Sequence, residues 1–146
     1  MRPALLVRIV AFLALGVCPA LAGEKVWVGL YLAKNTPPPP GAVLAPEKLA
    51  RRLHLVFGFD YYQFVKAEEI ELGHEWDQWA VPRRDFFIRL QPLRHLPDQP
   101  RLVEYEIFKD GFSVANGRFQ PQPDRPLFIS GPDLDRGRLI FVLESR

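Results

Sequence analysis

Residues 46–71 decide the fold, and they read PEKLARRLHLVFGFDYYQFVKAEEIE. Pro46 suits the first turn of a helix, where a backbone N–H would lack a partner. Four apolar residues at helical spacing predict one packed face over residues 46–57: Leu49, Leu53, Val56 and Phe57. Gly58 is the residue type that ends a helix in a left-handed conformation. The stretch therefore predicts one amphipathic helix that packs on a sheet.

The rest of the chain alternates apolar and polar residues as strands do. The predicted strands cover Lys25–Ala33, Phe59–Val65, Ile70–Leu72, Arg83–Leu90, Leu102–Lys109, Phe112–Ala115, Leu127–Ser130 and Arg138–Glu144. The second and third are either separate or one kinked strand. The first and last are apolar on both faces, which predicts strands covered on both sides. About seven or eight strands and one helix predict a mainly β fold, a β-sandwich or a partly open barrel.

Turn-forming residues separate several of these predicted strands. Asp110-Gly111 predicts a hairpin, and Asn116-Gly117, only a few residues later, predicts a bulge or a short return. A further turn is predicted from Gly131-Pro132 to Gly137. The proline run Thr36–Gly41 is either a docking motif for an aromatic groove or a stiff connector from strand to helix.

The first 22 residues have the pattern of a secretory signal. Arg2 and Arg8 precede or flank a short apolar run, and Ala20-Leu21-Ala22 fits the small-residue cleavage pattern. We predict cleavage that leaves residues 23–146 as a single β-rich domain in the periplasm or outside the cell. In an alternative interpretation, Cys18 is a lipidated N-terminus, although Val17 stands where that pattern prefers a small residue.

Charge and cysteine content exclude several classes of function for residues 23–146. Removing Arg2 and Arg8 from the 19 basic residues leaves 17, equal to the 17 acidic ones. This balance argues against nucleic-acid binding, which needs a surplus of positive charge.

Without Cys18 no disulfide can form, so stability must come from an apolar core. The apolar run of residues 9–17 is too short for a stable membrane span.

The residue types needed for catalysis are sparse. The serines and the single threonine stand in no nucleophile motif, no phosphate-binding glycine motif occurs, and we predict neither a catalytic residue nor a cofactor. His74, Glu75 and Asp77 form the densest group of possible metal ligands, but they lack the paired histidines of zinc hydrolases. A metal-dependent hydrolase at this loop is therefore one alternative, and ordinary polar loop residues are the other.

Four aromatic residues are candidates for ligand binding: Trp76, Trp79, Tyr61 and Tyr62. Exposed indole and phenol rings could stack on sugar rings and make the chain a carbohydrate-binding domain. Alternatively, the two tryptophans close one end of the core.

Three segments carry a resemblance to known sequences. They are Val56-Phe57-Gly58-Phe59 with Tyr62 after it, Pro126-Leu127-Phe128-Ile129-Ser130-Gly131-Pro132, and Gly137-Arg138-Leu139-Ile140-Phe141-Val142-Leu143. In these segments the chain resembles small exported bacterial proteins of unknown function. The resemblance implies an exported domain and carries no activity.

The sequence as a whole predicts an exported, non-catalytic binding or assembly module of the cell envelope. Its expected partner is another envelope protein or a second copy of itself, since edge strands can pair between chains. A glycan ligand is the alternative.

Overall fold

A computed structural model of the protein describes residues 24–72, 78–80, 85–93, 98 and 101–146. The elements in these ranges are β1, Glu24–Lys34; α1, Glu47–Phe57; β2, Tyr61–Leu72; β3, Gln78–Ala80; β4, Phe86–Pro92; β5, Val103–Lys109; β6, Phe112–Phe119; β7, Leu127–Leu134; and β8, Gly137–Ser145. Within the same ranges, α1 falls short of the length and apolar character that a membrane-spanning helix needs, and no other helix is present.

The strands form two four-stranded sheets. Sheet I has the strand order β2-β1-β8-β7, and sheet II has the order β3-β4-β5-β6. Neighbouring strands are antiparallel in both sheets. The first and last described strands are therefore neighbours at the centre of sheet I. The predicted mainly β architecture is confirmed, and its two sheets are arranged as a sandwich.

One apolar core fills the space between the sheets. It joins side chains of all four strands of sheet I to side chains of β4 and β5 in sheet II. The largest fully buried members are Leu30, Phe86, Ile88, Leu90, Ile107, Leu139, Phe141 and Leu143. The predicted alternation of apolar and polar residues is confirmed in β5, because Glu104 and Glu106 lie on the opposite face from Val103 and Ile107.

Helix α1 covers the outer face of sheet I. Leu53 is fully buried against this face, beside Tyr31, Tyr62 and Ile140. Alternate residues of β1 thus contact either sheet II or α1, and β8 is buried in the same way. The prediction that both strands are covered on two sides is confirmed, and the molecule has three layers.

The predicted helix stripe is wrong at one position. Leu49, Leu53 and Phe57 face sheet I together with Ala50, but Val56 is 60% exposed. A helix has about 3.6 residues per turn, so Leu49, Leu53 and Phe57 lie progressively farther around the helix axis in the direction of Ala50. Val56 therefore lies at the opposite edge of the apolar stripe. The helix ends as predicted: Gly58 has φ 77°, and its N–H donates to the His54 carbonyl at 2.8 Å.

Strand β2 is one strand with a bulge, the second of the two predicted alternatives. Leu30 pairs with Lys66 and Tyr31 pairs with Phe64, which leaves Val65 as the extra residue. The segment before the helix runs beside this strand, where the Ala45 N–H donates to the Tyr62 carbonyl at 2.8 Å.

The β5–β6 hairpin confirms one turn prediction and corrects another. Asp110 and Gly111 have φ 49° and 83° and form the tip. Asn116-Gly117, predicted as a bulge or a return, lies in regular pairing within β6, and the extra residue is Val114. Gly117 is needed because the ring of Tyr105 lies across it, with its hydroxyl oxygen 2.6 Å from where a Cβ would stand.

The turn predicted from Gly131 to Gly137 is shorter in the structure. β7 continues to Leu134, and the turn is Asp135-Arg136, both with positive φ. Gly131 and Pro132 disturb the pairing with β8 without ending the strand. Pro132 is tolerated there because β7 is an edge strand, where a missing N–H breaks no ladder.

Candidate functional site

The predicted ligand residues do not all fall in the described ranges. His74, Glu75, Trp76 and Asp77 lie outside them, so a metal site or a tryptophan platform in that loop stays a prediction. The backbone of Trp79 pairs with Arg89 in sheet II. Among the described residues, no three His, Cys, Asp or Glu side chains come together as a metal site would require.

Tyr61 and Tyr62 lie on opposite faces of β2. Tyr61 lines a cleft together with Pro37–Pro39 of the proline run. Tyr62 is 3% exposed beneath α1. Consecutive strand residues alternate between faces, so the two rings cannot form one platform. Burial raises the pKa of the Tyr62 phenol and Asp60 adds to this, while the Phe59 backbone opposes it.

A concavity that gathers aromatic and charged side chains lies elsewhere, on the face of sheet I that α1 covers. We call it the helix groove: its walls are Trp27 and Tyr31 of β1, the first turns of α1, the segment around Asp124 and Arg125, and the end of β8 at Glu144 and Ser145 with Arg146 after it. Its volume is about 360 Å³. Because β1 and β8 are neighbours at the centre of sheet I, the fold brings four distant segments together here.

Trp27 has a fixed place on the floor of the helix groove. Its indole lies over Gly29, and a Cβ at position 29 would stand 2.2 Å from Trp27 Cη2. The Arg146 guanidinium lies over the same indole, 4.9 Å from its centroid, at cation–π distance. The spacing Trp-x-Gly within a strand was the available sequence signal for this floor, because residues two apart share a face.

Tyr31 gives the floor a neutral hydroxyl group. Burial raises the pKa of the Tyr31 phenol, and the nearby Glu144 carboxylate raises it further, while Arg146 acts in the opposite direction. The phenol therefore stays protonated at neutral pH. The hydroxyl can donate a hydrogen bond to a ligand or accept one from it, but it cannot act as a base at neutral pH.

The rim of the helix groove is rich in positive charge. Four cationic side chains line it, Lys48, Arg52, Arg125 and Arg146, against the two carboxylates of Asp124 and Glu144. Arg146 approaches Glu144 and Glu69 only at 3.9 Å each, with half-exposed side chains. Ion pairs of this length and exposure contribute little. The groove thus holds cations that its own acids neutralise incompletely.

The outer face of sheet II offers a contrasting surface. There Arg89 pairs with Glu106 at 2.5 Å, and Arg118 pairs with Glu104 at 3.0 Å. The rings of Phe87 and Phe108 stack on this face at 5.0 Å. Its charges and rings are already matched with one another, which leaves little for a ligand to satisfy.

Comparisons with known proteins give no further assignment: no protein-family model, curated protein or solved structure matches the chain.

Proposed function

We propose that this chain is an exported, non-catalytic binding module of the cell envelope, and that its ligand occupies the helix groove. The observation that carries the proposal is the combination found there. A positioned aromatic floor, a protonated phenol and incompletely neutralised cations line one concavity of about 360 Å³. Concave sites with an apolar floor and a few convergent polar groups are the usual form of small-ligand sites.

Size supports a small ligand or the anchoring end of a larger one. A volume of about 360 Å³ lies at the lower end of the range for ligand pockets, roughly 300–1,000 Å³. A stable protein interface involves about 20–30 residues on each side, far more than the walls of this groove supply. An envelope protein would therefore contact the groove through one or two anchoring side chains.

The chemistry of the floor supports binding rather than turnover. General acid–base catalysis needs a group that changes protonation near the working pH. Burial raises the pKa of the Tyr31 phenol further above neutrality, and the described walls of the groove contain no histidine or cysteine, so Ser145 has no histidine there to activate it. The export part of the proposal rests on the signal pattern in residues 1–22.

A groove-filling substitution tests the proposal. Gln122 lines the helix groove, and Gln91 is exposed on the outer face of sheet II. Molecules that bind the tagged native chain in the envelope are captured by cross-linking. We expect the Gln122→Trp variant no longer to capture them, because the indole would fill the space that they occupy. Gln91→Trp adds the same bulk elsewhere and should retain them. Equal recovery by both variants, with equal thermal midpoints, would refute a groove ligand.

A further inference from the structure

The helix groove also defines the chemistry of its ligand, and this inference rests on the proposed function. We propose that the groove binds a small hydroxylated ligand through a negatively charged oxyanion, a carboxylate or a phosphate. The shared chemistry of these two groups is a planar or tetrahedral set of acceptor oxygens that arginine recognises by paired hydrogen bonds.

The first argument is the pairing of charges. Three arginines elsewhere on the described surface have carboxylate partners: Arg51 with Glu47 at 2.6 Å, Arg118 with Glu104 at 3.0 Å and Arg138 with Asp133 at 2.9 Å. Arg136 in the turn between β7 and β8 has none among the described residues, so the groove differs in that several cations without such partners lie together. In the described ranges, Lys48, Arg52 and Arg125 of the groove have no carboxylate within ion-pair distance. An anionic ligand would supply the missing partner.

The second argument is the position of two guanidinium groups over aromatic rings. Arg52 lies over the ring of Phe128, 5.5 Å from its centroid, and Arg146 lies over Trp27 at 4.9 Å. A cation–π contact is an electrostatic attraction to the ring and saturates no hydrogen-bond donor with an acceptor oxygen. Each ring therefore limits the motion of a cation without using its donors, which lowers the entropy lost when an oxyanion binds.

The third argument is the presence of acceptors beside these donors. Glu144 and the Tyr31 hydroxyl line the same groove, and Asp124 stands on its rim. A carboxylate cannot contact an oxyanion favourably, but it accepts hydrogen bonds from hydroxyl groups. A ligand that carries hydroxyls next to its charged group satisfies both sets, as a sugar acid or a sugar phosphate does.

The test uses three probes built on one ring: D-glucose, D-glucuronate and D-glucose 6-phosphate. They are titrated into the isotopically labelled chain, and the Trp27 indole N–H and the amides of Arg52 and Arg125 are followed by NMR. We expect at least one charged probe to shift these signals saturably at concentrations where glucose has no effect. The charged probe that binds more tightly identifies carboxylate or phosphate as the preferred head group.

Two neighbouring arginines give a matched pair of variants. Arg52→Gln removes a groove cation, and we expect it to weaken binding of the charged probe by at least about tenfold. Arg51→Gln makes the same change one residue earlier, where the side chain is paired with Glu47 outside the groove. We expect Arg51→Gln to change binding by less than about threefold.

Three results would overturn the inference. Glucose could shift the groove signals as strongly as the charged probes, which would make the ligand neutral while leaving the groove as the site. The charged probes could act equally on Arg51→Gln and Arg52→Gln, which would indicate general attraction of anions. In the third result, neither charged probe binds, which would refute the proposed oxyanion ligand. The Gln122→Trp comparison would then still test whether the groove binds any ligand.

Discussion

At the scale of single residues, Gly29 decides where the floor of the helix groove lies. A side chain at position 29 would occupy the space of the Trp27 ring, so Gly29→Ala must displace the indole. We expect a loss of about 1–3 kcal/mol in the free energy of unfolding, as for other overpacked sites. The assigned Trp27 indole N–H should shift in the NMR spectrum.

A second glycine provides the control for that prediction. Gly117 lies beneath the Tyr105 ring in sheet II, as Gly29 lies beneath Trp27 in sheet I. Gly117→Ala should also destabilise the fold, but it should leave the Trp27 signal in place. If both variants moved the indole equally, Gly29 would have no particular role in the groove.

The Tyr62 hydroxyl is a buried polar group without a proper partner. Among the described residues its oxygen makes no hydrogen bond of regular geometry, although the Phe59 backbone is close. Removing a buried group that makes no hydrogen bond avoids its desolvation. We therefore expect Tyr62→Phe to leave the free energy of unfolding unchanged or to raise it by about 1 kcal/mol. A clear loss in urea denaturation would reveal a hydrogen bond that holds this oxygen.

At the scale of elements, the packing of α1 on sheet I is the feature that closes the helix groove. Leu53 is fully buried in this contact, while Leu55 on the same helix is 84% exposed. We expect Leu53→Ala to reduce the free energy of unfolding by about 2–5 kcal/mol, the range for buried leucines. Leu55→Ala should change it by less than about 0.5 kcal/mol. Equal effects in chemical denaturation would contradict this orientation of α1.

Elements with strong local signals were predictable from the sequence. The helix end at Gly58 and the hairpin tip at Asp110-Gly111 follow from backbone conformations that glycine adopts readily. The prediction for Gly117 is wrong, because the role of this residue depends on Tyr105 in the neighbouring strand. The prediction for Val56 is wrong, because its exposure depends on which edge of the helix meets sheet I. In both cases a contact distant in sequence outweighed the local pattern.

At the scale of the whole molecule, buried tyrosines link stability to alkaline pH. Burial raises the pKa of both Tyr31 and Tyr62 above the ordinary value of about 10. As pH rises past that value, the unfolded chain loses these protons before the folded one, so unfolding becomes more favourable. Stability should be constant with respect to these groups below about pH 10 and fall as pH passes through their folded pKa values.

The variant Tyr31→Phe isolates one part of this alkaline effect. We expect its free energy of unfolding to fall less than that of the native chain between about pH 8 and pH 11. The lysines are the same in both proteins, so their contribution to the change in the free energy of unfolding cancels when the two proteins are compared. An identical decline in urea denaturation at the two pH values would show that Tyr31 ionises as easily in the folded chain as in the unfolded one.

The helix groove itself was not predicted from the sequence. Its walls come from β1, α1, the segment around Asp124 and the end of β8, which meet only because β1 pairs with β8. Of the four aromatic residues predicted to bind a ligand, Tyr61 and Tyr62 are adjacent along the chain. Adjacency in a strand places side chains on opposite faces, whereas the groove requires residues that are distant along the chain to meet on one face.

The central claim is that ligand binding occurs at the helix groove, and site-specific photo-cross-linking in the intact envelope tests it most directly. A photoreactive residue is placed at position 122 on the groove wall, or at position 116 on the exposed surface of β6, and adducts are identified by mass spectrometry. We predict one reproducible adduct from position 122 that is absent from position 116. The same adducts from both positions, or none from position 122, would contradict the claim.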